Sequence, residues 1–585
     1  MRNSSKMDTT LARTALWLTT FTYLALTLGG CSTGGAGSPS GATGQGSGGS
    51  TSGSGGSGSA IGGSIATTPS DALPARIRRL SNAEYDASVR ALLGTTSTPS
   101  KDFSFPPDAK QGPANSPAGA AFTVNDAQRV DPVLADKLDT AALALVAEAR
   151  ASGKLVGLAP CPDENAAGGE TCAKSFIQSV ATTAFRRAPL DAEITGLLKA
   201  YHVGADGYTY TDGIAQVVRV LLQSPGFLYT TEIGAPGAGP SFVMTSDEIA
   251  TELSYLLTSG PPDRPLLDVA ASGSLTTPEK RESEARRLLA TAAGHERFVR
   301  VVREWLGIDD VARREKSQNV YPEFAGLSQS MEKESRLFIE EVLFNGNGTL
   351  GDLLTADWTI ADPPLAAFYG ATSAGDGQHT SLAGLNRHGI LNQAAFLSVF
   401  ATNNGSHPVF RGVAIMRRIA CLPIPDPGAL GIVVSFPATD PSKTTRGRFE
   451  EHALDAKCAA CHATIDNLGF AFENFDGMGR WRTMEKDSGK PIDSSVSLST
   501  NTDLDGTYAS STELIDAMAR STSVKECLAR QLFRSSAARS DASVKDAEDG
   551  FVELWQQLPA DQQARFLEVV VAFVKSPTFI QRRIP

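Results

Sequence analysis

The stretch MTSDEIATELSYLLTSGPP, residues 244–262, carries all the signals of one amphipathic helix. Thr245 is followed three residues later by Glu248, which is the spacing of a capping box. Gly260 and Pro261 supply a stop. Between these signals the apolar side chains recur at helical spacing and share one face, formed by Ile249, Leu253, Leu256 and Leu257. The stretch therefore predicts a helix that buries one side.

The same pattern extends outward in both directions. RLSNAEYDASVRALLG, residues 79–94, pairs Ser81 with Glu84 and stops at Gly94. TTPEKRESEARRLL, residues 276–289, places Thr277 before a proline at the first helical position. Sustained strand alternation is scarce, and GIVVSF at 431–436 is a short exception. We predict a mainly α, multi-module protein with few short strands.

The N-terminus has the pattern of an export signal. Basic residues precede the apolar run TALWLTTFTYLALTLGG, residues 14–30, which is too short for an ordinary membrane-spanning helix. Residues 1–30 are therefore predicted to be a signal peptide. The run ends in Leu28-Gly29-Gly30-Cys31, which resembles the lipobox of bacterial lipoproteins and implies lipidation at Cys31. A plain signal peptide with an incidental cysteine is the alternative. The main expectation is a lipid-anchored protein of the bacterial envelope, outside the cytoplasm and in the outer membrane.

Composition divides the rest of the chain. Residues 31–72 are almost pure glycine, serine and threonine and are predicted to be a disordered tether. The net charge of −11 and the lack of a basic cluster argue against nucleic-acid binding. The globular part is expected to contain helical modules at 73–155, 156–235 and 240–375, a CxxCH module at 380–482 and a C-terminal helical module at 483–585.

CAACHATIDNLGF, residues 458–470, contains the attachment motif of a c-type haem. Cys458 and Cys461 would form thioether links to the haem vinyl groups, and His462 would supply the proximal ligand to iron. Zinc bound by these residues with His452 is one alternative, although the adjacent Cys461 and His462 strain tetrahedral geometry. A CxxC without a cofactor, reduced or disulfide-bonded, is another.

The sixth ligand of such an iron is not fixed by spacing. Candidates lie within reach along the sequence: His452, Met478, Met484 and Met518. Methionines near a motif belong more often to the core, and His452 has capping or pairing as its ordinary role. The sixth ligand therefore stays open at this point.

Four cysteines remain after Cys31 and the motif are set aside. An oxidising compartment favours disulfides, and an even remainder fits two of them. Cys161 and Cys172 bracket a polar loop that they would close locally, which leaves Cys421 and Cys527 to link the two sides of the CxxCH region. The alternative is four unpaired thiols.

Other apparent motifs have ordinary explanations. The glycines at 346, 348 and 351 have the GxGxxG spacing of a dinucleotide-binding fingerprint. That fingerprint requires a strand before the glycines, whereas a helical segment precedes them here. Turn and capping roles explain the acidic residues Asp352, Asp357 and Asp362. VVRVLLQSPGFLY at 217–229 and VVVAFVKSPTFIQ at 569–581 both run into Ser-Pro-x-Phe. This indicates either two related packing units or a common helix stop, and without further repeats we favour the helix stop.

Several of these stretches resemble a known family. Six stretches are similar to modules of secreted planctomycete and myxobacterial proteins: RLSNAEYDASVRALLG, CAKSFIQSVATTAFRRAPLDAEITGLLKAY, SDEIATELSYLLTSGPPDRPLLDVA, HPVFRGVAIMRRIACLPIPDP, CAACHATIDNLGFAFENFDGMGRWR and TELIDAMARSTSVKECLARQLFRSSAARS. Those proteins are built from domains of unknown function 1587, 1595, 1592, 1588 and 1585. The resemblance implies a modular helical, cytochrome-like protein without an established reaction. It marks Cys458, Cys461 and His462 as haem residues, and His452 lies where the family pattern has a histidine. This chain has Asn467 where the family pattern usually has a proline. SSAARS, residues 535–540, stands where the last module usually ends with a glycine before an arginine.

These observations predict a lipid-anchored, extracytoplasmic protein with one covalent haem c and its iron, acting in electron transfer with an unidentified redox partner protein. The membrane is reached through the N-terminal lipid. A cell-surface binding or scaffolding lipoprotein with a structural CxxCH is the first alternative. A haem enzyme with an open sixth position, such as a peroxidase or dehydrogenase, is the second.

Overall fold

The computed structural model describes residues 72–110, 122–123, 129–162, 164, 166–206, 209–237, 239–425, 428, 437–438, 440–454, 456–539 and 544–584. The side chains of residues 166, 167, 452, 456 and 457 also lie outside this description. The predicted signal peptide, the tether up to residue 71, lipidation at Cys31 and the strand at 431–436 fall outside the described residues, so they stay predictions.

Helices follow one another along most of the described chain. The N-terminal part has β1 Leu73–Pro74, β2 Arg76–Arg79, α1 Asn82–Leu93, α2 Pro99–Asp102, α3 Pro132–Ala151, α4 Lys154–Leu158, α5 Ala166–Phe185, α6 Asp191–Ala205, α7 Tyr210–Leu221, α8 Pro225–Leu228 and β3 Tyr229–Glu232. The middle part has β4 Ser241–Val243, α9 Ser246–Thr258, α10 Arg264–Ala271, α11 Pro278–Leu289, α12 Ala292–Leu306, α13 Phe324–Glu340, α14 Leu350–Thr355, β5 Trp358–Thr359, α15 Pro363–Tyr369 and β6 Thr380–Ser381.

The C-terminal part contains the CxxCH motif. Its elements are α16 Ala394–Val399, α17 Pro408–Ala414, α18 Thr445–His452, α19 Ala456–Phe470, β7 Val496–Leu498, β8 Gly506–Tyr508, α20 Ser511–Arg520, α21 Thr522–Ala537, α22 Lys545–Gln556, α23 Ala560–Gln563, α24 Phe566–Lys575, α25 Pro577–Ile580 and β9 Gln581–Arg583. The prediction of a mainly α protein with few short strands is confirmed.

The predicted capping and stop residues begin and end their helices in the structure, with one exception. Both capping boxes form, Ser81 with Glu84 and Thr245 with Glu248. Helix α9 ends one residue earlier than its Gly-Pro stop suggests, because Ser259 rather than Gly260 adopts the left-handed conformation, with φ of 53°. Its hydroxyl accepts a hydrogen bond from Arg300, which gives a polar residue a reason to occupy that position.

Two hydrophobic cores are present in the described residues. One is built from side chains between Tyr85 and Leu228, and thus from both of the N-terminal helical modules expected from the sequence. The other includes side chains between Met244 and Ile580, together with Leu73 and Phe122. The described residues belong to one compact unit, Ala66–Pro585.

Short strands join the distant ends of this unit. Strand β9 lies between β1, with which it is parallel, and β4, with which it is antiparallel. A second pair, β2 and β3, is antiparallel and matches Arg76 with Glu232. The last strand of the protein therefore completes a sheet whose other strands come from the start and the middle of the described chain.

A buried carboxylate connects these strands. Glu232 at the end of β3 accepts hydrogen bonds from Arg76 Nε at 2.5 Å, from Arg539 Nη2 at 2.7 Å and from Arg582 Nε. Burial alone would raise the pKa of Glu232, but Arg582, Arg76 and Arg539 outweigh it and hold the pKa well below its usual range. One charge thus holds together arginines from β2, from the end of α21 and from β9.

The two repeated Ser-Pro-x-Phe stretches share more than a helix stop. In each, a long helix (α7 or α24) leads into a one-turn helix that starts at the proline (α8 or α25), and a strand follows. These strands are β3 and β9, and Glu232 of the first contacts Arg582 of the second. The repeat therefore marks two matching units that meet at the buried carboxylate.

Both predicted disulfides form. Cys161 pairs with Cys172, with the two Cα atoms 5.6 Å apart. Cys421 pairs with Cys527, 106 residues later, with the two Cα atoms 5.4 Å apart. The second bridge connects α21 to the chain just after the helical turn Ile415–Ile419, which follows α17. No helix among the described residues is long and apolar enough to cross a membrane.

Replacing the shared carboxylate tests this arrangement. We expect Glu232→Gln to lower the free energy of unfolding by about 3–5 kcal/mol, because three buried arginines lose their common counter-charge. The thermal unfolding midpoint of the full chain measures the loss. Glu553→Gln, on the exposed side of α22, is the matched control and should leave the midpoint unchanged. Equal midpoints for the two variants would show that Glu232 does not hold the strands together.

Candidate functional site

The CxxCH motif lies within one helix, α19. Cys458 and Cys461 are three residues apart and therefore one helical turn apart, and both are half-buried free thiols. His462 follows directly, with 18% of its side chain exposed. The three side chains thus stand on the N-terminal half of α19 at the border between core and solvent. Cys461 packs against the large core.

A hydrogen bond orients the histidine ring. His462 Nδ1 lies 2.8 Å from Oδ1 of Asp466, one turn further along the helix. Asp466 is buried, and its Oδ2 has no hydrogen-bond partner among the described residues. The hydrogen bond to Asp466 raises the pKa of His462, and burial opposes it. With the Nδ1 proton donated to Asp466, the neutral ring carries its lone pair on Nε2, the tautomer that a metal-binding histidine uses.

Two glycines set the position of α19. A methyl group added to Gly412 of α17 would collide with the carbonyl oxygen of Ile465, and one added to Gly469 would collide with the carbonyl oxygen of Pro408. The backbones of α17 and α19 therefore touch at two reciprocal points, which only residues without a side chain allow. Because Ile465 and Gly469 follow His462 on α19, this crossing fixes the helix that carries the motif.

Arg411 of α17 holds the chain that leaves α19. Its buried guanidinium donates to the carbonyl oxygens of Phe472 at 2.9 Å, Phe475 at 2.7 Å and Asp476 at 2.6 Å. Glu473 lies 3.8 Å from the same guanidinium. Burial raises the pKa of Glu473, and Arg411 and Arg482 oppose that rise. The turn after the motif helix is therefore fixed by an arginine of the helix that crosses it.

A second buried arginine fixes the next turn, which contains Met478. Arg387 donates to the carbonyl oxygen of Gly479 at 2.6 Å and lies over the rings of Tyr369 and Phe475. Tyr369 donates to Glu334 at 2.7 Å, and burial raises the pKa of that carboxyl to about 7. A polar network in the core thus joins α13 and α15 to the segment after α19.

His407 is another histidine of this region, and it caps α17. Its Nδ1 accepts a hydrogen bond from the backbone N–H of Phe410 at 3.2 Å, and its ring stacks on the ring of Phe410. Burial, followed by the charges of Arg411 and Arg448, lowers the pKa of His407 to about 4. The neutral ring therefore carries its proton on Nε2. That tautomer suits a helix cap and not a metal ligand at Nε2, unlike the tautomer of His462.

The candidate sixth ligands differ in their surroundings. Met478 and Met518 are fully buried within the large core, and Met484 is 48% exposed. The side chain of His452 lies outside the described residues, although its backbone ends α18. No group of three or more His, Cys, Asp or Glu side chains arranged to hold a metal ion occurs among the described residues. The sixth ligand and the zinc alternative both stay predictions.

Asp352 and Asp362, and the glycine-rich segment that begins at residue 346, have the structural roles expected of them. Asp362 caps α15 by accepting a hydrogen bond from the backbone N–H of Leu365, and Asp352 lies in the first turn of α14 beside its cap, Thr349. Residues 346–349 connect two helical segments and Gly351 lies in the first turn of α14, so a helical turn and not a strand precedes the glycines, as expected.

Sequence reasoning missed the residues that support the motif. Asp466 had a detectable signal, because it stands four residues after His462 on a predicted helix. Gly412 and Gly469 had a weaker one, since glycine inside a helix is costly and is usually kept for close packing. Arg411 and Arg387 had none, because their partners are backbone carbonyls of residues distant in the sequence.

Closing the gap between α17 and α19 should disrupt the site. We expect Gly412→Ala to lower the free energy of unfolding by about 1–3 kcal/mol, because the new methyl group forces the two backbones apart. Urea unfolding measures the effect. Gly326→Ala in α13 is the control, since its methyl group would meet no atom within 4 Å, and it should not destabilise the protein. Equal losses in both variants would contradict the close crossing.

Four family models match the chain in consecutive segments. PSD3, protein of unknown function (DUF1587), matches residues 78–151, and PSD5, protein of unknown function (DUF1595), matches 172–232. PSD4, protein of unknown function (DUF1592), matches 244–371, and PSCyt3, protein of unknown function (DUF1588), matches 387–485. The last match contains the CxxCH helix and the crossing with α17. The similarity of the C-terminal segment to domain 1585 stays a prediction. No curated protein and no solved structure matches the chain.

Proposed function

Because the chain belongs to the multi-module family built from domains of unknown function 1587, 1595, 1592 and 1588, we propose a role for its CxxCH module that the family itself does not define. The module carries one covalently attached haem and transfers electrons outside the cytoplasm, with the protein held to the envelope by a lipid on Cys31. The short name PSCyt3 of the matched model supports a cytochrome-like module. The observation that carries the proposal is the arrangement of Cys458, Cys461, His462 and Asp466 on one clamped helix.

The two thiols fit the attachment chemistry. Cys458 and Cys461 would hold a haem through two thioether links, each formed by adding one S–H across a vinyl group, which needs no oxidant or reductant. Attachment requires cysteines that are unbridged and reachable, and Cys458 and Cys461 are half-buried free thiols one turn apart. The four cysteines that could compete for them are paired with each other.

The histidine fits the ligand role. Asp466 accepts the Nδ1 proton of His462 and so presents Nε2 as the coordinating atom. A carboxylate in this position also makes the imidazole more electron-rich, which favours the ferric state of a bound iron. When bound, the haem supplies one-electron chemistry, and the protein residues set its orientation and potential.

The location of the module agrees with electron transfer. His462 is partly exposed, and the contacts that fix its helix against α17 lie one to two turns further along, at Ile465 and Gly469, so the site lies at a surface and not deep within the core. A surface position shortens the path to a partner protein. The export signal and Cys31 in the sequence would place that partner outside the cytoplasm.

Peptide mass spectrometry tests the attachment. The full chain, produced with a c-type cytochrome maturation system, should yield a tryptic peptide spanning residues 458–480 that is heavier by about 616 Da, the mass of one haem added through two thioether links. The increment should disappear in Cys458→Ala plus Cys461→Ala.

The matched control removes a different cysteine pair. Cys161→Ser plus Cys172→Ser loses one disulfide and should keep the haem peptide, because that bridge lies in the N-terminal core. A wild-type peptide of unmodified mass, or one lighter by two hydrogens through a Cys458–Cys461 disulfide, would refute the haem and favour the scaffolding alternative.

A further inference from the structure

A cavity of about 560 Å³ lies far along the chain from the CxxCH helix, between the two cores. Its walls come from α1, from α2 and the residue before it, from the end of α9 and from the first half of α12. Alanines form much of the α1 wall, and their short side chains leave the space open. A cavity of this size falls within the range of small-molecule sites.

The cavity carries more cations than available carboxylates. Four positive side chains line it: Arg90, Lys101, Arg297 and Arg300. Of these, Arg90, Lys101 and Arg297 form no ion pair among the described residues. Arg297 uses only its Nε, which donates to the carbonyl oxygen of Leu256 at 3.2 Å. Its terminal nitrogens are therefore available to a ligand.

The carboxylates around the cavity are already engaged. Asp86 accepts from the backbone N–H of Ser100 at 2.8 Å and from its hydroxyl at 2.5 Å. Asp263 binds Arg287 through two hydrogen bonds and caps α10. Glu296 points into solvent, with 72% of its side chain exposed, and lies 4.0 Å from Arg300. Asp86 and Asp263 form no ion pair with the four cations, and Glu296 pairs only with Arg300, so Arg297 has no carboxylate within ion-pair distance among the described residues.

A buried hydroxyl gives a second, independent indication of a ligand. Ser254 of α9 lines the cavity and is 1% exposed, and its Oγ has no hydrogen-bond partner among the described residues. Leaving a buried hydroxyl without a partner costs free energy, so a group like this in a cavity is a hydrogen-bond site for whatever fills the space, ordered water or a ligand. Thr258 and Thr291 add hydroxyls to the same wall.

We propose that this cavity binds a small hydroxylated organic anion, with its carboxylate or phosphate against Arg297 and a hydroxyl or anionic oxygen against Ser254. The guanidinium supplies paired donors for a planar carboxylate or a phosphate. Burial, followed by the neighbouring Arg300, lowers the pKa of Arg297 to about 10, and the more distant Glu304 and Glu84 only partly oppose that fall. The site is independent of the haem proposal.

Calorimetry on the full chain tests the site with three probes: glucuronate, glucose 6-phosphate and neutral glucose. We expect at least one of the two anions to saturate one site per chain at concentrations below about 10 mM, whereas glucose does not bind. Which anion binds more tightly distinguishes a carboxylate from a phosphate ligand. Absence of saturable binding by both anions would overturn the proposal.

Variants tie any binding to the cavity. Arg297→Gln should weaken the anion about ten-fold or more, and Ser254→Ala should weaken it about two- to five-fold. Arg90→Gln, at an exposed position on the cavity rim, should also weaken anion binding. This variant provides the test if Arg297→Gln fails to fold. Arg264→Gln, an exposed arginine outside the cavity, is the control. Affinity that is unchanged in both Arg297→Gln and Arg90→Gln would also overturn the proposal.

Discussion

A single buried carboxylate organises the described chain. Glu232 is shared by Arg76, Arg539 and Arg582, which come from the first strands, the end of α21 and the last strand. Removing one partner of a buried ion pair is strongly destabilising, so the buried Glu232 depends on these arginines being in place. It stands where the two Ser-Pro units and two short sheets meet. The consecutive family segments are thereby held as one unit, and the CxxCH helix is built on that unit.

The same principle recurs around α19 at smaller scale. Arg411 and Arg387 are buried arginines whose partners are mainly backbone carbonyls, and each fixes a turn that follows the motif helix. A hydrogen bond to a backbone carbonyl fixes the position of a turn whatever side chain the carbonyl's residue carries. Together with the glycine contacts of α17 and α19, they make the motif part of a rigid wall. Two thiols and one imidazole on such a wall keep a fixed mutual orientation, which attachment of a single planar group requires.

Local features of this protein could be predicted from sequence, and contacts between distant segments could not. The capping boxes at Ser81 and Thr245 depend on residues three apart, and both were predicted. The disulfides followed from cysteine number and compartment. By contrast, the partners of Glu232 are scattered along the chain, and nothing local identifies them. The cavity at Arg297 could not be predicted from the sequence either, because it is formed by the packing of α1 against α9 and α12.

We propose that the α19 helix carries a haem, and the absorption spectrum of the purified full chain tests this proposal. Recorded oxidised and then reduced, the protein should show the bands of a c-type haem, with one haem per chain that stays with the polypeptide after denaturation. The bands should shift between the two states because the iron changes its charge. A colourless protein from cells that mature other c-type cytochromes, or a haem that is extracted on denaturation, would contradict the account.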